Sequence, residues 1–315
     1  MKRIALLMVL PFLAVAVFAG DISDAESSSE LQLQISTLPE AKLCFTQSFK
    51  FPFLQADNFL MDSNNIKFNL KAEITPVSMN GQFKTVLTPI AFLEFTAGGL
   101  IGTGWPVYDF FGGDLYGTGL NVNENVNENG NEKYEGEALD ALHLKFFAGG
   151  TFQFDFAAIF PGDWNHIVFL TYHEINYFHN TNALKGQGWF YENDDGENRN
   201  GWNYYGNIVL GYQMPQKPIF LQMVALMAEM KQYLTDIDNV DRGVWGDDLI
   251  RWELSAIFNF QFTNQFSVTF IGQCKTKRNF TDETKDMHYQ NRTLNKNDPL
   301  RIEFYRVAGF VTYSF

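Results

Sequence analysis

Residues Leu142, Leu144, Phe146, Ala148, Gly150, Phe152, Phe154 and Phe156 are apolar or small at every second position. The positions between them include His143, Lys145, Thr151, Gln153 and Asp155. In an extended chain successive side chains point to opposite faces, so this stretch presents one apolar face and one polar face. The pattern returns along the chain. Ile66, Phe68, Leu70, Ala72 and Ile74 alternate with Lys67, Asn69, Lys71, Glu73 and Thr75. Trp252, Leu254, Ala256, Phe258, Phe260 and Phe262 alternate with Arg251, Glu253, Ser255, Asn259 and Gln261. A chain so patterned folds as sheet, with one face turned to an apolar medium and the other to a polar one.

The alternation predicts ten strands: 42–53, 65–75, 83–102, 142–156, 166–178, 202–214, 219–233, 251–262, 266–274 and 301–315. The Met/Ala/Leu/Glu/Lys composition of 219–233 also suits an amphipathic helix. Asn80-Gly81 has the residues of a tight hairpin turn. Brief connectors are expected around Asn80, Pro161, Pro215 and Asn264, and longer polar ones around Ala56, Asn125, Asp194, Asp238 and Asp286. Short connectors alternating with long ones place all the long loops at one end. The expected fold is therefore all-β: a transmembrane, antiparallel, up-and-down β-barrel of about ten strands, with twelve as the alternative.

Residues 1–19 read as a cleaved signal peptide, with Lys2 and Arg3 ahead of an apolar run and Val17 and Ala19 placed for cleavage. Residues 20–40 are polar and Ser/Glu-rich, the composition of a periplasmic leader, and 41–315 form the barrel. Beyond the signal no apolar run is long enough for a membrane helix, yet the chain holds 32 phenylalanines. A barrel reconciles these, since outward side chains need be apolar only at alternate positions. A net charge of −13 argues against nucleic acid as a partner. Cys44 and Cys274, the only cysteines, fall on opposite faces by parity, which disfavours a disulfide.

The last segment carries Gly309, Val311, Tyr313 and Phe315 on one face and ends in the phenylalanine. It resembles the terminal assembly signal of bacterial outer-membrane β-barrel proteins. With the signal peptide and the strand series, the resemblance covers most of the chain. It implies export to the bacterial outer membrane, with the lipid bilayer and the outer-membrane assembly machinery as partners.

The polar faces should point into the lumen, where they place Lys50, Lys67, Lys71, Glu73, Lys84, Glu94, Lys145, Asp155, Arg251, Glu253, Lys275, Lys277 and Arg306. About ten strands enclose too narrow a space for a large general porin. The leading reading is a narrow channel for small polar solutes, with selectivity set by these charges. Excess Lys and Arg inside would favour anions, while acidic loops oppose their access. The alternative is a closed structural or adhesin-like barrel acting through its long loops, and a third reading is a barrel enzyme. No G-x-S-x-G or H-E-x-x-H motif is present, and nothing calls for a cofactor.

Calcium is the metal to consider, with Asp194, Asp195 and Glu197 beside Glu192, and Asp236, Asp238 and Asp241 in the next loop. Neither segment matches the spacing of a calcium-binding loop. His143, His166, His173 and His179 are too widely spaced on their strands to converge. The tandem repeat Asn121–Asn129 reads as a solvated loop tip. Trp105, Tyr108, Phe110, Phe111, Tyr177, Phe178, Trp189, Phe190, Tyr191, Trp202, Tyr204, Tyr205 and Trp245 suit aromatic girdles at the two membrane interfaces.

Overall fold

A computed structural model describes residues 25–38, 40–58, 60–110, 113–126, 132–184, 186–192, 198–215, 220–234, 246, 248–281 and 292–315. In chain order the first strands are β1 (Glu26–Ser36), β2 (Glu40–Pro52), β3 (Asn65–Ile74), β4 (Ser78–Ile90) and β5 (Leu93–Gly104). Two hairpins follow, β6 (Pro106–Phe110) with β7 (Gly113–Tyr116), and β8 (Thr118–Val126) with β9 (Glu132–Ala138). Then come β10 (Leu142–Asp155), β11 (Ile167–Asn180), the two-residue β12 (Phe190–Tyr191), β13 (Gly201–Gln213) and β14 (Leu221–Tyr233). The series ends with β15 (Arg251–Gln261), β16 (Phe266–Arg278) and β17 (Leu300–Ser314). Twelve of these close an antiparallel barrel in the order β1-β17-β16-β15-β14-β13-β11-β10-β5-β4-β3-β2.

The closed barrel is the expected class, and its strand count is the expected alternative, twelve rather than ten. Two features account for the difference. Residues within the expected leader form β1, whose Leu31, Leu33 and Ile35 alternate with Glu30, Gln32 and Gln34. Three consecutive serines, Ser27 to Ser29, hide the start of that alternation. The expected strand 83–102 is instead parts of two, β4 and β5, which reverse at Ala91-Phe92. Asn80-Gly81 lies inside β4, opposite Glu73 and Ala72, and does not turn the chain. The turn comes earlier, where the Thr75 amide donates to the Ser78 carbonyl at 3.0 Å around Pro76, a residue whose fixed φ suits the bend. The 219–233 segment is a strand: β14 pairs with β13 and β15 on both sides, so sheet pairing overrides its helical composition.

The barrel closes between its ends. β1 pairs with β17, with Leu33 opposite Val311 and Leu31 opposite Tyr313. Ser29 and Phe315 exchange backbone hydrogen bonds of 2.9 Å in both directions. Barrel strands run from 10 residues in β3 to 15 in β17, enough to cross a hydrocarbon core, which needs about 9–11 tilted residues. Among the described residues no helix is long and apolar enough to cross a membrane.

Outward positions are apolar and uncovered: Phe146 is 59% exposed, Leu226 64% and Phe304 65%. Side chains this apolar belong against lipid rather than water. Inward positions are polar, and many are buried, among them Asn69, Thr96, Glu174, Ser255 and Gln273.

Connectors 91–92, 156–166, 214–220 and 262–265 lie at the rim that holds both chain ends, here the turn rim. The connector 53–64 also lies there, correcting its expected placement with the long loops; the split of 83–102 into β4 and β5 puts three strands, not two, between it and the 105–141 loop. Connectors 105–141, 181–200, 234–250 and 279–299 lie at the opposite, loop rim, together with two short turns at 37–39 and 75–77.

Candidate functional site

On the side of the lumen formed by β10 to β17, a cavity of about 380 Å³ opens toward the loop rim. Its walls hold charges of both signs in close pairs. Lys145 Nζ lies 2.7 Å from Glu174 and Lys231 Nζ 2.6 Å from Glu253. The Tyr205 hydroxyl donates to Glu229 at 2.6 Å. Glu174 also accepts from the Tyr172 hydroxyl at 2.7 Å and from Asn176 Nδ2 at 2.9 Å. Tyr305 lines the same cavity because a bulge interrupts β17: Gln273 pairs with Arg306 and Cys274 with Phe304, leaving Tyr305 as the extra residue. A bulge re-aims a side chain that strict alternation would send outward. Lys275 Nζ sits 3.9 Å from the centre of the Tyr305 ring, within cation–π range.

A segment of the 181–200 loop crosses the loop rim and seats on the wall formed by β2 to β5. β12 adds to β8, with Tyr191 opposite Thr118. Trp189 is fully buried, and Tyr191 stacks on His143 with ring centres 4.3 Å apart. The Tyr191 hydroxyl donates to Asn80 Oδ1 at 2.5 Å and sits over Gly102, where a Cβ would come within 2.4 Å of it. Burial first, then the Glu192 carboxylate, raises the Tyr191 phenol above its ordinary pKa, so it remains a donor. Glu192 accepts from Lys42 Nζ at 2.8 Å, Ser78 Oγ at 2.8 Å and Asn80 Nδ2 at 2.9 Å. Its φ of 55° is left-handed, a conformation that costs about 1–2 kcal/mol for a residue with a Cβ. Three donors converging on the carboxylate offset that strain. We call this contact the latch.

The wall opposite the cavity is different. Lys50 pairs directly across from Lys67, and Lys84 is a diagonal neighbour of Lys67 through the Asn69–Lys84 register. Like charges so placed on neighbouring strands repel. Lys71 is neutralised by Glu73 at 2.6 Å, and Lys50 by the exposed Glu26 at 3.0 Å. Lys84 lies in the fields of Lys67 and Lys71 as well as those of Glu94 and Glu174. Among the described residues neither Lys67 nor Lys84 makes an ion pair or a hydrogen bond.

The predicted lumen residues therefore fall into three groups. Lys145, Arg251, Glu253 and Lys275 line the cavity. Lys50, Lys67, Lys71, Glu73, Lys84 and Glu94 occupy the facing wall of β2 to β5. Near the barrel's closure, Arg306 donates to Gln273 at 2.7 Å and pairs with Glu40, while Lys277 lies 3.7 Å from Glu303. Asp155 is a correction: it stands at the turn rim, 2.6 Å from His166 Nδ1, and caps the short helical turn Phe156–Ala158. The other histidines are dispersed, His143 under the latch, His173 against Tyr204 and His179 against Tyr177.

Several expectations change. Trp189, Phe190 and Tyr191 leave the proposed girdle for the latch, while Phe178 and Tyr205 face the cavity. Phe111 and Trp245 lie outside the described residues. Glu192, read as a calcium candidate, is the carboxylate of the latch. Asp194, Asp195, Glu197, Asp236, Asp238 and Asp241 lie outside the described residues, as do residues 1–19, expected from the sequence to be a signal peptide. The repeat Asn121–Asn129 is described only to Val126, where it is strand β8. Both cysteines are free. Sequence reasoning missed Tyr305 and the latch, since neither a bulge nor a loop that folds inward leaves a periodic trace.

No protein-family model matches the chain, and no curated protein matches it. Among solved structures it is similar to the NanC porin, at 5% identity and a TM-score of 0.36, covering 91% of this chain and 98% of that one. It is similar to the translocator domain of the autotransporter NalP from Neisseria meningitidis, at 8% identity and a TM-score of 0.40, covering 100% and 96%. OmpT of Vibrio cholerae gives 8% and 0.34, covering 92% and 97%. Likenesses this distant carry no argument of their own. The closed twelve-stranded barrel with its apolar exterior is the architecture of an outer-membrane β-barrel.

Proposed function

We propose that this chain is a narrow outer-membrane channel for small polar solutes, with anions favoured and the loop rim facing outside the cell. The observation that carries this reading is the state of Lys67 and Lys84, which point into the lumen without an ion pair or hydrogen bond among the described residues. A dry core does not keep charges in that state, because an uncompensated buried charge is strongly destabilising. Water in the lumen resolves the conflict, and a hydrated lumen lined by lysine favours anions. The four long connectors at one rim match the long extracellular loops of such barrels. The lipid bilayer, the assembly machinery acting on Gly309, Val311, Tyr313 and Phe315, and a small polar solute are the partners this reading requires.

A second reading has an observation behind it. Phe147 is 7% exposed and packs over Gly98, where a Cβ would lie 2.6 Å from its ring. With the latch seated above, that favours a closed barrel acting through its loops. Single-channel recording of refolded protein in a planar bilayer separates the two. Discrete steps support the channel; silence from protein shown to be inserted supports the closed barrel.

A further inference from the structure

The Glu192 carboxylate sits in a cradle whose donors are oriented by partners of their own. Lys42 Nζ reaches it at 2.8 Å, Ser78 Oγ at 2.8 Å and Asn80 Nδ2 at 2.9 Å. Ser78 and Asn80 belong to β4 and are 0% and 3% exposed. The Ser78 hydroxyl proton goes to the carboxylate, so Thr75 is the donor in the 2.7 Å contact between the two hydroxyls. The Tyr191 hydroxyl donates to Asn80 Oδ1, which turns the amide nitrogen toward Glu192. If the Glu192 side chain alone swung away, these donors would stay aimed at a place the size of a carboxylate.

Charge points the same way. Around the cradle Lys42 pairs with Glu192, Lys71 with Glu73, and Arg306 with Glu40. Glu73 and Glu40 also act on Lys42 through their fields, but both are engaged elsewhere. Glu73 accepts from Lys71 at 2.6 Å and from Cys44 at 3.4 Å, and Glu40 accepts from Arg306 and from Gln34 at 3.3 Å. Withdrawing Glu192 would leave Lys42 without its counter-ion beside two neutral donors, the set that recognises a carboxylate.

Glu192 is also a strained occupant. Its φ of 55° is left-handed, and strain of this kind marks positions that switch. The rest of its segment is anchored separately, by the buried Trp189 and by Tyr191 stacked on His143. The Lys42 and Glu192 side chains are 15% and 16% exposed, so one edge of the pair stays open to a small solute.

We infer that the cradle is a binding site for a small monocarboxylate, which Glu192 occupies from within the chain until a solute carboxylate takes its place. Passage of that solute through the barrel rests on the channel reading above; its binding does not.

Glu192→Gly tests this, because it deletes the atoms of a propionate group and relieves the left-handed strain. Calorimetric titration of the refolded protein in detergent compares propionate with propionamide, its neutral amide. The unmodified protein should bind propionate weakly, since the tethered carboxylate competes at an effective concentration on the order of millimolar. Glu192→Gly should bind it at least about tenfold tighter, and propionamide should gain nothing. Adding Lys42→Met to Glu192→Gly should abolish the gain. Equal affinity of the unmodified and Glu192→Gly proteins for propionate overturns the proposal, as does propionamide binding to Glu192→Gly as tightly as propionate. Glu192→Asn, with a shorter, uncharged side chain that tolerates a left-handed backbone, should show the same gain, so the test stands if the glycine variant fails to fold. Conductance recorded on the same preparations keeps the two readings apart. Propionate binding without conductance overturns the channel and leaves the site standing, whereas conductance without the gain in propionate binding overturns the site.

Discussion

On β2 to β4, Lys50 stands directly opposite Lys67 with Lys84 beside them, whereas on β10 to β15 carboxylates and lysines meet at 2.6–2.7 Å. One wall leaves charge unneutralised, and the other cancels most of its own. The difference separates two uses of polar residues inside a barrel. Paired charges hold strands in register and shape a cavity, and their fields largely cancel. Unpaired lysines contribute little to register and repel one another, but they give the lumen its electrostatic sign. The latch lies on the lysine side of this divide. Glu192 neutralises Lys42 near the loop rim and leaves Lys67 and Lys84, deeper in the lumen, untouched.

The comparison depends on which side chains face inward, and the largest expected effect tests that parity. On β14, Leu226 is 64% exposed on the outside and Met227 is its inward neighbour. Leu226→Lys should cost about 2–4 kcal/mol near the bilayer midplane and block assembly, as read by heat-modifiable gel mobility, whereas Met227→Lys should assemble. Equal outcomes would break the comparison at its base. Next in size is the sign of the field. Lys67→Glu with Lys84→Glu should move the reversal potential in a salt gradient from the anion side to the cation side. An unchanged potential would place selectivity elsewhere.

A smaller effect sharpens the contrast in stability. Glu253→Gln strips Lys231 of its partner and should destabilise the barrel in urea by about 1–3 kcal/mol. Lys67→Gln removes a repulsion and should shift stability by less than about 1 kcal/mol, in the stabilising direction. Equal losses would mean that the lysine wall is structurally paired after all. Smallest is the latch: Glu192→Gln keeps its size but removes the charge held by Lys42. It should increase the frequency of open–closed transitions in recordings without altering the reversal potential.

Most of the barrel is legible in the sequence because strand parity is a local property. Phe146, Phe152, Leu254 and Phe258 declare an outward face without any knowledge of their neighbours. The failures occur where parity persists or stops for non-local reasons. Phe83 to Gly102 reads as one run because the reversal at Ala91-Phe92 adds no polar punctuation, while Asn80-Gly81 looks like a turn but is paired on both sides. Ser27 to Ser29 conceal a strand that exists because β2 and β17 need a neighbour between them. At the site, the inward lysines are legible as residues, but their pairing is set by strand register. Whether Lys231 or Lys67 meets a carboxylate depends on which strand lies alongside. Tyr305 and Glu192 are further removed still. One is placed by a bulge and the other by a loop reaching the opposite wall.

The most direct test of the central claim is the reversal potential of the unmodified, refolded protein across a tenfold potassium chloride gradient. A hydrated lumen governed by Lys67 and Lys84 predicts discrete channels whose potential lies toward that of chloride. A potential toward that of potassium, or no conductance from protein shown to be inserted, would contradict it.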